Sequence, residues 1–184
     1  MPAVTASGLL GPVIVLNAWS LAMEVWMYAT MIPALRKAKV TNTATKSQVD
    51  AVMPAQVRWK RDNYNHLMEQ PTQFYAVALT LALLRGGQNE GNEVLLAWLY
   101  TGTRIVHSLV HTTSNVLMVR FALFVTSSTL LGVMTVKAGM LFLEYVVNLN
   151  WYHPYVCITG TYYYIQFIAD VILNIEDFNV FTLN

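Results

Sequence analysis

Between Arg104 and Arg120 the chain reads RIVHSLVHTTSNVLMVR, which sets two arginines, two histidines and a run of small polar residues within apolar flanks. Arg104, His107, His111 and Asn115 follow steps of three, four and four, so on a helix they line one face. Arg120 comes sixteen residues after Arg104, about 160° around a continuous helix. One unbroken helix would point the two arginines apart. A turn within Thr112–Met118 instead folds Arg120 back beside the histidine face, at the start of the next helix. Ionisable residues at membrane depth point first to function, here ligand binding. The competing use is structural, as headgroup anchors or as an ion pair such as Glu24 with Arg104. No metal site is expected, because histidines at i and i+4 without a nearby third ligand leave an incomplete coordination sphere.

A second constellation lies upstream, where Arg61, Asn65 and Glu69 repeat every four residues and share a face. A ligand site and a solvated helix end both produce that pattern.

The chain has 184 residues, the length of one domain, of which 55% are hydrophobic and 11% charged, against roughly a quarter charged in ordinary soluble domains. That is a membrane composition. The formal net charge of +1 conceals an asymmetry, because Arg36, Lys37, Lys39, Lys46, Arg58, Lys60 and Arg61 all fall in one connecting segment. By the positive-inside rule that 36–61 segment is cytoplasmic. A single cysteine, Cys157, excludes an intrachain disulfide framework. With no Gly-rich phosphate loop and no basic–aromatic surface, no nucleic-acid partner is expected.

Four apolar segments supply the helices. Leu9–Leu35 exceeds the roughly 20 residues a membrane helix needs, and without a basic leader it reads as a retained helix rather than a signal peptide. Glu24 near its middle must face protein, against a cation or a hydrogen-bond donor, or be protonated. The second helix begins within Arg58–Glu69 and runs to Arg85, with Pro71 expected to bend it. GGQNEGN, from Gly86 to Asn92, is a turn by composition. The third helix runs from Glu93 or Val94 to about His111, and the fourth from about Leu117 to Lys137 or beyond. His111 and Arg120 then reach the same end as Arg61, Asn65 and Glu69. Tyr155–Ile175 is compatible with a fifth crossing, an interfacial segment or a packing arm.

The segments NHLMEQPTQFY, at the start of the second helix, and LAWLYTGTRIVHSLVHTTSNVLMVRF, across the third and fourth, resemble the MAPEG family, the membrane-associated proteins of eicosanoid and glutathione metabolism, and most of all its bacterial branch. The resemblance covers roughly Leu9–Lys137. It implies an all-α integral membrane fold, a four-helix up-and-down transmembrane bundle over residues 1–137, followed by a C-terminal extension, 138–184, that could add a fifth membrane segment. It further implies a homotrimer in the membrane lipid, multi-pass and in a bacterial inner membrane, with glutathione as co-substrate between adjacent subunits at the cytoplasmic end. Arg120 matches the arginine that stabilises the glutathione thiolate, and His111 falls where the family's enzymes often carry a tyrosine, so these two are the expected catalytic residues. Arg61, Asn65, Glu69, Arg104 and His107 are the expected glutathione-binding residues.

A free thiol with a pKa near 8.5 is about 3% thiolate at pH 7, and an adjacent arginine lowers that pKa by one or two units. Arg120 could thus keep roughly half of a bound thiol nucleophilic. The expected function is therefore a glutathione-dependent transferase or peroxidase acting on lipophilic electrophiles. Departures from the family pattern motivate an alternative, a non-catalytic membrane subunit or lipid-binding protein of a larger complex joined through the C-terminal extension. Glu69 lies one residue past the usual acidic position, here Met68; Tyr64 replaces an arginine found in some members, and Phe121 a serine.

Overall fold

The computed structural model describes residues 6–87 and 91–152. Among them all regular structure is helical: α1 (Leu10–Lys37), α2 (Lys46–Val52), α3 (Ala55–Arg85), α4 (Gly91–Thr113) and α5 (Leu117–Tyr152). Four are the long helices expected from the sequence. The fifth, α2, lies in the basic segment read from the sequence only as a connection, and it forms because Thr45 and Gln48 build a reciprocal capping box at its start.

Helix α1 ends in a Schellman turn. Lys39 adopts a left-handed φ of 51°, its N–H donating to the Arg36 carbonyl and that of Val40 to the Leu35 carbonyl. Helix α3 starts directly after Pro54, three residues before the earliest expected position. It continues through the buried Pro71, which lacks the N–H that would pair with the Leu67 carbonyl, and stops where Gly86 turns left-handed at φ 59°. Helix α5 runs on past Lys137, the minimal end expected from the sequence. Residues 155–175, the candidate fifth segment, lie outside the described residues.

The chain forms two compact units, one ending at Gly139 and one beginning at Met140. In the first, α1, α3 and α4 pack on one another. Leu16, Met23 and Met27 of α1 meet a core of Leu67, Phe74, Ala78 and Leu81 from α3 and Ala97 and Tyr100 from α4. The Phe74 and Tyr100 rings stack at 4.3 Å. Gly11 lets α1 approach α4 closely, since a Cβ there would lie 3.2 Å from the Trp98 ring. The first half of α5 is tied to α3 by a polar clasp: Gln70 Nε2 donates to Ser128 Oγ (2.6 Å) and accepts at Oε1 from Ser127 Oγ (3.2 Å).

Helix α4 is amphipathic in the opposite sense to a helix in water. Its buried face carries Glu93, Thr101, Arg104, His107, Ser108 and His111, whereas Leu95, Trp98, Leu99, Val106 and Leu109 are exposed, Leu95 by 58%. Water would penalise that arrangement, and an apolar surround favours it. By length and composition α1 and α5 are each able to cross a membrane.

Candidate functional site

The polar end of the bundle is organised by the turn at Ser114–Val116. The N–H groups of Ser114 and Asn115 both donate to the Val110 carbonyl, at 3.2 and 2.7 Å, closing α4. Asn115 takes a left-handed φ of 51°, which asparagine tolerates better than most residues. Its Oδ1 accepts a 2.6 Å hydrogen bond from Arg120 Nη1, anchoring the first turn of α5. The chain reversal expected from the arginine spacing is therefore present, and Arg120 acts electrostatically on His66, His107 and His111.

Those three imidazoles form a triangle. Ring centroids lie 5.2 Å apart for His66–His107, 5.9 Å for His107–His111 and 6.2 Å for His66–His111, and Phe124 of α5 closes against His66 at 5.6 Å. His66 Nδ1 lies 3.2 Å from Glu69 Oε2, an acceptor, so Nδ1 carries the proton of that contact. Among the described residues no group of histidine, cysteine or carboxylate side chains has metal-binding geometry.

Arg104, one helical turn before His107 on α4, has no solvent exposure. Its Nη2 donates to the His66 carbonyl at 3.1 Å, while Nε and Nη1 have no hydrogen-bond partner. Arg120 Nε and His111 Nδ1 are likewise buried without partners. A guanidinium so placed costs free energy unless something anionic or hydrogen-bonding meets it. Arg104 forms no ion pair with Glu24, which instead acts electrostatically on Tyr64 of α3.

Of the residues expected from the sequence, Arg104, His107, His111 and Arg120 come together, and Glu69 joins them through His66 at an exposed rim. Arg61 and Asn65 do not. The Arg61 guanidinium is taken up by Asp50 and by Asp62, at 3.0 Å from the latter, and so clasps α2 to the start of α3. That contact holds the Asp50 carboxyl below the usual carboxylate range. Asn65 is exposed, and the buried asparagine is Asn63, whose Nδ2 donates to Ser108 Oγ of α4 at 2.8 Å.

His66 and Asn63 were missed by sequence reasoning, and the apolar phase of α3 held the signal. Leu67, Phe74, Ala78 and Leu81 are its buried stripe, and one helical step back from Leu67 falls on Asn63 rather than Asn65. Also missed was an ion cluster toward the α3–α4 turn. The Glu93 side chain, 2% exposed, receives Arg85 Nη2 at 2.8 Å and Lys137 Nζ at 3.2 Å, tying α3, α4 and α5 together.

No curated protein and no solved structure matches the chain. The family model for the MAPEG family does, over residues 9–140. That span covers most of the described helices, including α3, α4 and the triangle of histidines, and the chain belongs to the MAPEG family.

Proposed function

We propose that this chain is a multi-pass integral membrane protein whose four long helices form an up-and-down transmembrane bundle, and that its polar end binds glutathione as co-substrate for attack on lipophilic electrophiles or hydroperoxides. The carrying observation is the set of buried, unpartnered nitrogens on Arg104, Arg120 and His111 around one group of imidazoles. Glutathione, with two carboxylates and an ionisable thiol, is a ligand of the kind such donors lack. Arg120 would stabilise the thiolate and His111 Nδ1 would donate to it; Arg104 would supply a second cation, and His107 a neutral imidazole beside it. In a homotrimer, the exposed Asn65 and Glu69 would face the neighbouring subunit with glutathione between them. The basic 36–61 segment would lie in the cytoplasm, at a bacterial inner membrane.

The exposed apolar faces of α1, α4 and α5 support the membrane half of this reading. Its chemical half is tested by calorimetric titration of the detergent-purified protein with glutathione, followed by conjugation to a chlorodinitrobenzene. Saturable binding and turnover are expected; a folded oligomer that binds nothing at millimolar glutathione overturns it.

One observation favours a second reading, a non-catalytic membrane subunit or lipid-binding protein. Arg61 is already paired with two carboxylates, which leaves one fewer free cation for glutathione. Residues 138–184 would then join a larger membrane complex. Extraction in mild detergent distinguishes the two: a complex that dissociates when the chain is cut after Lys137 supports the second reading, and a particle unchanged by the cut opposes it.

A further inference from the structure

We infer a binding site for an anionic phospholipid headgroup at the C-terminal end of α1, separate from the histidine cluster. A cavity of about 560 Å³ opens there between the last turns of α1 and the segment leading into α2, within the size range of small-molecule sites. Leu35, Val40 and Val49 form an apolar floor, and Arg36, Lys39, Thr41 and Asn42 surround it. The mixture suits a lipid, with cations and hydroxyl or amide groups for a phosphate and apolar side chains for the glycerol and first methylenes.

Two further observations point the same way. Lys39 occupies the left-handed position of the Schellman turn, where glycine is preferred and another residue is strained. The lysine there lines the cavity, and the same turn brings Val40 and Leu35 together beneath it. In addition, neither Arg36 nor Lys39 pairs with a carboxylate among the described residues, in contrast to Arg61 and Arg85. Basic residues just outside a membrane helix attract acidic lipid, by about fivefold in affinity per cation, the ~1 kcal/mol of a basic residue near an anionic surface.

The site rests on the reading that α1 crosses the bilayer and is independent of any thiol chemistry. The test reconstitutes the full chain into vesicles of mixed phosphatidylglycerol and phosphatidylcholine, extracts it in mild detergent and measures the ratio of the two lipids retained. Wild type should be enriched in phosphatidylglycerol over the bulk mixture, and the Arg36→Gln/Lys39→Gln double variant should fall toward the bulk ratio. Lys39→Gly should lower the enrichment about fivefold while raising thermal stability, because it removes the cation and the backbone strain together. Lys37→Gln, outside the cavity lining, should leave it unchanged. Equal retention of both lipids by the wild type overturns the site, as does a Lys37→Gln loss as large as that of Lys39→Gly. Displacement of the lipid by millimolar inorganic phosphate would show a free-phosphate site and overturn the lipid. A chain that stays soluble without detergent would instead refute the membrane reading beneath it.

Discussion

Replacing Arg104 with methionine should make the protein more stable and unable to bind glutathione. Arg104 has no solvent exposure, one hydrogen bond, to the His66 carbonyl, and two nitrogens without partners. Each buried unpaired donor costs about 1–3 kcal/mol, and the single charge-assisted bond returns about 1.5–3 kcal/mol. The His66 carbonyl lies inside α3, where the helix's own ladder supplies a donor, so its loss of Arg104 leaves no new orphan. Methionine fills much of the arginine stem's volume without a charge, and the balance favours it by roughly 2 kcal/mol, within the range of about 1–4 kcal/mol for apolar replacement of buried ionic groups. In a chain of this size that is about 4–8 °C in the unfolding midpoint. The assay is thermal unfolding in detergent with and without glutathione, beside a calorimetric titration. Glutathione should raise the wild-type midpoint and leave that of Arg104→Met unmoved. A variant destabilised by a similar amount would mean that the guanidinium is fully satisfied and structural, and unchanged glutathione affinity would remove Arg104 from the site.

Three further outcomes follow from contacts around the bundle. Glu93→Ala leaves Arg85 and Lys137 without their shared carboxylate; because they are 27% and 34% exposed, the loss should be about 1–2 kcal/mol rather than the 3–5 kcal/mol of a fully buried pair, read from denaturation in detergent. Asn115→Gly relieves the left-handed φ but frees Arg120, so stability should change little while glutathione affinity falls at least about tenfold, the lower end of the ~1.5–3 kcal/mol of one charge-assisted bond; Asn115→Asp, which keeps Oδ1, should retain affinity. The Asp50 carboxyl is held below its ordinary value by its bond to Arg61, so the α2–α3 clasp should be fully present above pH ~4, the unfolded carboxylate value, and should be lost as the pH falls through the lowered folded value. Amide exchange in α2 measures it, and Asp50→Asn should show the loosened state at neutral pH.

The turn that returns Arg120 to the histidines was legible because helix periodicity makes sixteen residues of separation incompatible with one face, and the small polar run offered the place to reverse. The long helices were legible for a similar reason, since apolar runs bounded by Gly86–Gly87 and by the basic segment leave little choice of boundary. The pairing of Arg61 was hidden because charge spacing along one helix says nothing of a partner such as Asp50 on another element. Asn63 was overlooked beside Asn65 because the polar stripe was followed and not the apolar phase of α3, which buries Asn63. The Glu93 cluster joins residues from three helices, and no local pattern encodes Lys137 meeting a carboxylate 44 positions earlier. Helix α2 was readable from its Thr45–Gln48 box but was hidden by the polarity around it.

The most direct test of thiol activation is the ultraviolet absorbance of thiolate in the protein–glutathione complex at pH 7. About half of the bound thiol should ionise in the wild type, against about 3% for free thiol, and Arg120→Ala should return the bound fraction to a few per cent with the oligomer intact. Bound glutathione that stays protonated in the wild type, or a full thiolate signal in Arg120→Ala, would contradict the assignment of Arg120.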